Sequence, residues 1–462
     1  MSEASDIKLV LDVGKTNVKI HVFERHLTSL ESQSLKNGVI TEGPYPHVDV
    51  EMIWTWMMGV LRDLSDRCRI SAIAVTAHGA TAALVNGNLG GDGLAMPILD
   101  YEWSGLDSAN GYDDVRPDFS ETLSPDLRGG LNVGRQLYWQ QLTYPEQFDA
   151  ADAVLLYPQY WVYRLTGNLV SELTSLGCHT DLWCPSRGEY SSLVERRGWR
   201  SLFPPMASAW EVVGSVAESV ADQSGLAGDC RVHVGIHDSN ASFLRYRQIN
   251  PDGEFCVVST GTWVVCMSAG SSDIAMDESR DMLGNVDVFG NTIPCIRFMG
   301  GREYAEICAR CSASPNDISG EADVERLISD GCYALPDFSG GSGPFGGRPP
   351  EIRGPVSSGA ALASLYCALM IDSCLDLLLS SGDVIIDGSF TQDPLLCGLL
   401  AQLRDGQAVF VSNDTAGTAR GAAQLTDWPR SEAVNLTRCE ATTASGLDGY
   451  ASRWRDLASD RP

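Results

Sequence analysis

The stretch Leu9-Val10-Leu11-Asp12-Val13-Gly14-Lys15-Thr16-Asn17-Val18-Lys19-Ile20-His21-Val22-Phe23 constrains the fold most. An apolar run ends in a carboxylate, a short polar turn follows, and a second run alternates. Val18, Ile20 and Val22 share one side and Lys19 and His21 the other, the period-2 pattern of a half-buried strand. Gly14 lets the turn bend tightly and lets a ligand approach the backbone. Thr16, Asn17 and the turn amides can donate to anionic oxygens. Asp12 stands at a strand end, where a hydrated divalent ion could be held. Gly14-Lys15-Thr16 imitates the end of a P-loop, but that motif needs a glycine five residues earlier and a helix afterwards. Leu9 occupies the first place and a strand pattern the second, so the P-loop is excluded. A plain hairpin remains the other account, because Gly, Thr and Asn also simply turn a chain.

A chain of 462 residues has room for two to four domains, each with its own core. The net charge of -27 argues against a nucleic-acid partner and against an anionic membrane surface. It leaves nucleotide binding open, because a bound metal ion and local amides set the field at such a site. The 14 cysteines form no regular framework, and Cys308-Ala-Arg-Cys311 is the only C-x-x-C. That pair is either a redox couple or two thiols on one helix face. Met1 to Lys8 is short, polar and acidic, unlike a signal peptide. No apolar run approaches ~18 residues, so no membrane span is expected. A reducing cytoplasm is the expected setting.

Val50, Ile53, Trp54, Met57, Leu61 and Leu64 recur at helical spacing and predict a helix over 49–66. Ile70 to Val75 reads as a strand that runs into Thr76-Ala77-His78-Gly79. A helix is expected around 151–165, stopped by Thr166-Gly167. Residues 104–135 are rich in polar residues, Pro and Gly and read as a surface excursion. Arg231 to Ile236 reads as a strand leading into Gly235-Ile236-His237-Asp238, with a helix from Ala241 on. A domain boundary is expected near 245–253. The second half then restarts the theme: a strand from Glu254, the turn Ser259-Thr260-Gly261-Thr262, and a strand from Trp263 to Met267. A long buried helix is expected over 358–381, a strand and turn over Val384–Phe390, and a small-residue helix over Thr415–Leu425. Gly341-Ser-Gly343-Pro-Phe-Gly346 spells G-x-G-x-x-G, but no strand precedes it and Arg348-Pro349-Pro350 follows where a helix should start, so it is read as a loop. Strands alternating with helices in both halves make the chain α/β.

Three features point to one chemistry. Asp12 and its turn suit phosphate and metal, Ser259-Thr260-Gly261-Thr262 offers a second cradle, and Asp238 lies at a strand end close to the domain boundary. There a carboxylate can take a proton from a substrate hydroxyl while amides and hydroxyls hold a phosphoryl group. Phosphoryl transfer depends on positioning, charge neutralisation and one base. Each part also has a plain structural account. Asp238 could N-cap a helix, Thr260-Gly261-Thr262 could be a bare turn, His78 a core histidine, and Asp100 and Glu102 solvated loop acids.

Over essentially its whole length the chain resembles an FGGY-family carbohydrate kinase. The residues that carry the likeness are Asp12 to Lys19, Thr76 to Gly79, Leu165-Thr-Gly167, Gly235 to Asp238, Ser259 to Thr262, Gly300-Gly301 and Asp387-Gly388-Ser389. The resemblance implies two actin-like (ribonuclease-H-like) ATPase domains around a central cleft, a sugar-binding one over 1–246 and a nucleotide-binding one over 247–462. It implies ATP and Mg²⁺, with Asp12 on the metal through water and Gly14, Lys15, Thr16 and Asn17 on phosphate. Thr260, Gly261 and Thr262 would cradle the transferred group, and Gly300, Gly301, Gly388 and Ser389 would line the nucleotide. Asp238 would be the catalytic base. The sugar would lie near His78, Gly79, Asp100, Glu102 and Asp238, with Thr180 and Asp181 as further contacts. The implied reaction moves the γ-phosphoryl group of MgATP to a primary hydroxyl of a ketose or related sugar. The likeness leans to the fuculokinase and rhamnulokinase side of the family, whose habit is a homodimer. Four residues depart from the family pattern: Ser389 follows Gly388 where many members have a second glycine, Ser239-Asn240 follows Asp238 where small or Thr residues are common, and Gln159 stands where Asp is expected. An actin-like or chaperone-like ATPase, or a silent sugar-binding regulator, is the alternative on the same fold.

Overall fold

The apolar run Ile7–Val13 and the alternating run Asn17–Phe23 form an antiparallel hairpin, with Leu11 opposite Ile20 and Asp12 opposite Lys19. A computed structural model describes residues 7–108, 111–250, 253–270, 274–414, 416–430 and 433–459 of the chain. Most of the leader expectation (residues 1–6), Pro251 and Asp252 of the expected boundary, and Thr415 lie outside the described residues.

The chain divides into two compact units, Met1–Ile249 with Gly284–Thr292 and Ala416–Ala433, and Asn250–Leu283 with Ile293–Thr415 and Val434–Pro462. The first unit's sheet runs in the order Val212–Ser215, Arg231–His233, Ile70–Ala77, Ile7–Val13, Asn17–Phe23, Ser29–Lys36, with Ile236–His237 also on Ile70–Ala77. The second sheet runs Met282–Val286, Thr292–Phe298, Val264–Ala269, Phe255–Thr260, Asp383–Gly388, Val409–Ser412, Leu436–Arg438. Both contain the same pattern. Three strands form an antiparallel meander, the first of them pairs in parallel with a central strand, a further parallel strand follows, and an antiparallel edge strand ends the sheet. The faint echo between Gly14-Lys15-Thr16 and Gly261-Thr262 is a duplicated architecture, that of the actin-like ATPase fold.

Helix Val50–Ser65 follows the first meander and places Ile53, Met57, Leu61 and Leu64 in the core, with Asp49 capping its first turn. Helix Gly359–Leu377 holds the matching place in the second unit. By length and composition it could cross a membrane, which corrects the expectation that no segment reaches that size. Of its most apolar 18-residue stretch 89% is buried, and Leu362, Leu365, Leu369 and Leu375 join the core of the second unit. An apolar helix covered on all sides is what a core helix requires.

Three further expectations need correction. Residues 151–165 are not one helix: Ala153–Leu156 is a strand paired with Ala82–Val85, and the helix is Tyr157–Thr166, started by Pro158 in its first turn. Its end at Gly167, with φ +77°, is as expected. Residues 104–135 are no surface excursion, because Leu106, Tyr112 and Val133 join a third apolar cluster and Leu127 and Asn132 are buried as well. Residues 231–236 form no continuous strand: Arg231–His233 and Ile236–His237 are separated by Gly235 at φ +84°, and a Cβ there would lie 2.7 Å from the Val75 carbonyl oxygen.

The interleaving of the units in sequence also has a local cause. Helix Gly417–Gln424 lies against helix Asp238–Ile249 so closely that a Cβ on Gly421 would sit 1.8 Å from the Ala241 carbonyl oxygen. Ala419, Ala422 and Ala423 extend this small-residue contact.

All 14 cysteines are free. Burial pushes the Cys308 thiol up to about 11 and raises that of Cys311 as well, so the C-x-x-C carries two protonated thiols at the end of a helix.

Candidate functional site

Parallel strands deliver their C-terminal ends to one edge of a sheet. In the first unit Asp12 pairs with Thr76 across two parallel strands, and Ile236 pairs with Thr76 on the other side. Asp12, His78 and Asp238 therefore emerge at the same end of three parallel strands. Burial, and next the charge of Asp238, push the Asp12 carboxyl up to about 7, against the smaller opposing pull of Lys19. His21 Nε2 is 4.0 Å from Asp12 Oδ2, and burial holds that imidazole at about 4 and neutral. Burial also lowers His78. Its Nδ1–H donates to the Gly79 carbonyl at 2.9 Å, and its ring lies 5.3 Å from Tyr101 and 4.8 Å from Tyr157.

Lys15 is drawn away from the turn. Its ammonium pairs with Asp100, sits 3.5 Å from Glu102 and lies 4.9 Å above the Tyr101 ring. A small cavity lined by Lys15, Asn37, His78, Thr81, Asp100 and Tyr101 brings these groups together. Asp100 is buried, whereas Glu102 is largely exposed. The turn itself is tied off internally: the Gly14 amide donates to Asn17 O at 3.0 Å and Asn37 donates to Gly14 O. Thr16 and the Asn17 side chain face solvent.

Gly79 has a packing reason. A Cβ there would lie 2.9 Å from His237 Nε2. Gln159, fully buried, donates to the Val234 carbonyl at 3.1 Å and so supports the approach to Gly235. Thr180 and Asp181 are used by the fold. Thr180 Oγ1 donates to Leu176 O at 2.5 Å, and Asp181 is fully buried, takes the Tyr112 hydroxyl at 2.6 Å and lies 3.5 Å from Arg116. Burial raises Asp181 to about 6 in spite of Arg116. A larger cavity of about 560 Å³, lined by Trp183, Arg187, Tyr190 and Arg200 among others, contains none of the candidate residues.

In the second unit Thr260 pairs with Gly388 across parallel strands. Thr260 Oγ1 donates to Asp387 O at 2.7 Å and accepts from the Phe390 amide at 2.9 Å, so its hydroxyl locks two strand ends together. The glycines mark close approaches. A Cβ on Gly388 would lie 2.0 Å from Thr260 O, one on Gly301 2.2 Å from Gly261 O, and one on Gly300 2.4 Å from Val264. Thr260, Gly261, Gly300, Gly301 and Gly388 thus form one cluster at the start of helix Gly300–Arg310, with Thr262 and Ser389 exposed on it. Backbone amides at a helix start suit phosphate oxygens.

Sequence reasoning gave no role to Tyr101, Tyr157, Asn240 or Asn285. Asn240 had a signal, three residues after His237 at the start of a helix and in a position departing from the family pattern. Asn285 had none, since only folding brings it to Asn240.

A profile described as "Carbohydrate kinase FGGY, C-terminal domain" matches residues 252–434. A carbohydrate kinase from Novosphingobium aromaticivorans, known from its crystal structure, is 32% identical, with 99% of each chain covered and a TM-score of 0.90. L-fuculokinase of Escherichia coli (strain K12) is 26% identical over 276 residues, which cover 57% of this chain and 56% of that protein, so the match spans just over half the length of that relative. Ligand-bound xylulose kinase from Lactobacillus acidophilus shares the fold, with a TM-score of 0.80 at 15% identity and 98% and 97% of the two chains covered.

Proposed function

We propose, for a chain that belongs to the FGGY family of carbohydrate kinases, that it transfers the γ-phosphoryl group of MgATP to a primary hydroxyl of a ketose or related sugar, with Asp238 as general base. The observation that carries this reading is the pair of carboxylates, Asp12 and Asp238, at the ends of the two strands that flank Ile70–Ala77 in parallel, where the Asp238 charge helps to raise Asp12. The hydroxyl proton passes to Asp238 as the sugar oxygen bonds to phosphorus and the bond to the ADP oxygen breaks. A positioned base contributes typically ~10²–10⁴-fold. His78, Tyr101, Asp100 and Lys15 supply the polar and aromatic surface for a polyhydroxylated substrate, and the second unit's glycine cluster supplies amides for the nucleotide.

Mg²⁺ fits the residues present. Asp12 is a half-buried carboxylate whose charge is penalised by burial and by Asp238, and a divalent cation relieves both. Among the described residues no three His, Cys, Asp or Glu side chains gather as a metal cage. Mg²⁺ is usually held by one or two carboxylates, waters and phosphate oxygens instead. Asp12 would hold it, and its charge would offset that of the phosphates.

The test is ADP release with MgATP across a panel of ketoses, polyols and aldoses, repeated with Asp238→Asn. One sugar should stimulate turnover far above the rest, and the variant should lose at least ~10²-fold in kcat while still binding that sugar. Near-normal kcat in the variant removes Asp238 from the base role. ATP hydrolysis that no sugar stimulates would favour the chaperone-like alternative.

A further inference from the structure

We propose that the two oxygens of Asp238 divide the work: Oδ1 is an anchor and Oδ2 is the proton acceptor, with His237, Asn240 and Asn285 as positioning residues that enforce the division. The inference rests on Asp238 being the base.

The hydrogen bonds are one-sided. Oδ1 accepts from the Ser239 amide at 2.6 Å and from Ser239 Oγ at 3.3 Å, and His237 Nε2 lies 3.2 Å away. Among the described residues Oδ2 accepts nothing. An oxygen with three donors has its lone pairs occupied and its charge already stabilised. The other oxygen keeps an open lone pair for an incoming hydroxyl proton.

Whether Nε2 carries hydrogen follows from a chain of donors that ends on the backbone. The Val286 amide donates to Asn285 Oδ1 at 3.1 Å, which identifies that atom as oxygen. Asn240 Nδ2 is 3.2 Å from the same oxygen, so it is the amide nitrogen that faces it. The same Nδ2 lies 3.3 Å from His237 Nδ1. An amide nitrogen donates and does not accept. A hydrogen on Nδ1 would set two donors head to head at a site where His237, Asn240 and Asn285 are each no more than 4% exposed and water cannot intervene. A neutral ring therefore carries its hydrogen on Nε2, facing Asp238, and a charged ring carries one there too; against burial, Cys178, which also bonds this ring, and Asp238 pull the imidazole up to about 9. Fixing one imidazole nitrogen by the partner of the other is how such rings are oriented in catalytic sites.

Two more contacts hold the ring in register. The His237 amide donates to Thr174 Oγ1 at 3.1 Å, and Thr174 Oγ1 donates to the buried Glu172 carboxylate at 2.7 Å. Gly79 leaves the space that Nε2 occupies. Two of the residues that depart from the family pattern, Ser239 and Asn240, are thereby accounted for, since one caps Oδ1 and the other orients the ring that caps it.

The experiment compares His237→Leu, His237→Gln and Asn240→Ala with the native enzyme. His237→Leu should lower kcat about 10–100-fold, the usual scale for a positioning partner, with little change in the KM for sugar or ATP. His237→Gln, which keeps an N–H donor near the Nε2 position, should return most of that loss. In protein labelled with ¹⁵N-histidine, of which there are seven, one ring, read above about pH 9 where it is neutral, should show a bare Nδ1 and a protonated Nε2, and Asn240→Ala should abolish that signature. This spectrum stands even if His237→Leu does not fold. Unchanged kcat in His237→Leu, with Asp238→Asn inactive, overturns the inference and leaves the base intact. A neutral native His237 ring with its hydrogen on Nδ1 overturns it too. Full activity in Asp238→Asn overturns the base reading and this inference with it.

Discussion

Replacing Asp12 by asparagine should make the protein more stable at pH 8 while blunting its response to MgATP. The carboxyl is raised from 3.8 to about 7, first by burial and then by the Asp238 charge. A group with a raised folded pKa holds its proton more tightly in the folded state. Its contribution is neutral below pH ~4, turns unfavourable as pH rises, and reaches its full size above pH ~7. About three pH units at ~1.4 kcal/mol each set an upper figure of ~4 kcal/mol. Burying the asparagine amide takes back roughly 2 kcal/mol at every pH, which leaves a gain of about 2 kcal/mol at pH 8 and a loss of about 2 kcal/mol near pH 4. At about 2–4 °C per kcal/mol for a large domain, Tm should rise by about 4–8 °C. The assay is thermal unfolding of both proteins in chelator at pH 4, 6 and 8, then at pH 8 with MgATP. The variant's Tm should pass from below the native value at pH 4 to above it at pH 8, and MgATP should raise Tm of the native protein by more than that of the variant. A gap that does not change with pH, or a variant less stable than the native protein at pH 8, would refute the reasoning.

Three other outcomes are expected. Gly421→Ala places a Cβ against the Ala241 backbone, which cannot swing aside, and should lower stability by at least the ~1–3 kcal/mol of ordinary overpacking; an unchanged urea midpoint would count against the close helix contact. Tyr112→Phe removes the hydroxyl that donates to the ionised, fully buried Asp181 and should cost about 1–3 kcal/mol at pH 8. Because burial raises Asp181 to about 6 and the lost bond favours its charged form, the loss should shrink at pH 5, and equal losses at both pH values would refute it. Lys15→Met frees Asp100 and Glu102 and should raise the sugar KM about tenfold, near 1.4 kcal/mol, with a smaller effect on ATP; a selective rise in the ATP KM would return Lys15 to the phosphates.

Chemistry carried by neighbouring residues was legible in the chain. The hairpin around Asp12, the second turn at 260–262 and the Gly235-Ile-His-Asp238 run each combine a strand period with turn residues, and both signals are local. The same locality explains the errors. Residues 104–135 are polar by count, yet Tyr112 and Asn132 spend their polar atoms on Asp181, Pro125 and Leu127, so the segment is buried. Residues 153–156 were absorbed into a helix because a short apolar run has no period of its own, and only pairing with Ala82–Val85 makes them a strand. By itself, then, the sequence determined the α/β class, the repeated hairpin and the positions of the carboxylates, because strand period, turn residues and charge are properties of adjacent residues. Tertiary structure alone decided that Lys15 faces Asp100, that Asp181 is a buried anchor, and that Asn285 and Asn240 aim His237 at one oxygen of Asp238. Those relations join residues tens of positions apart, and a hydrogen bond is set by distance and direction in space rather than by order along the chain.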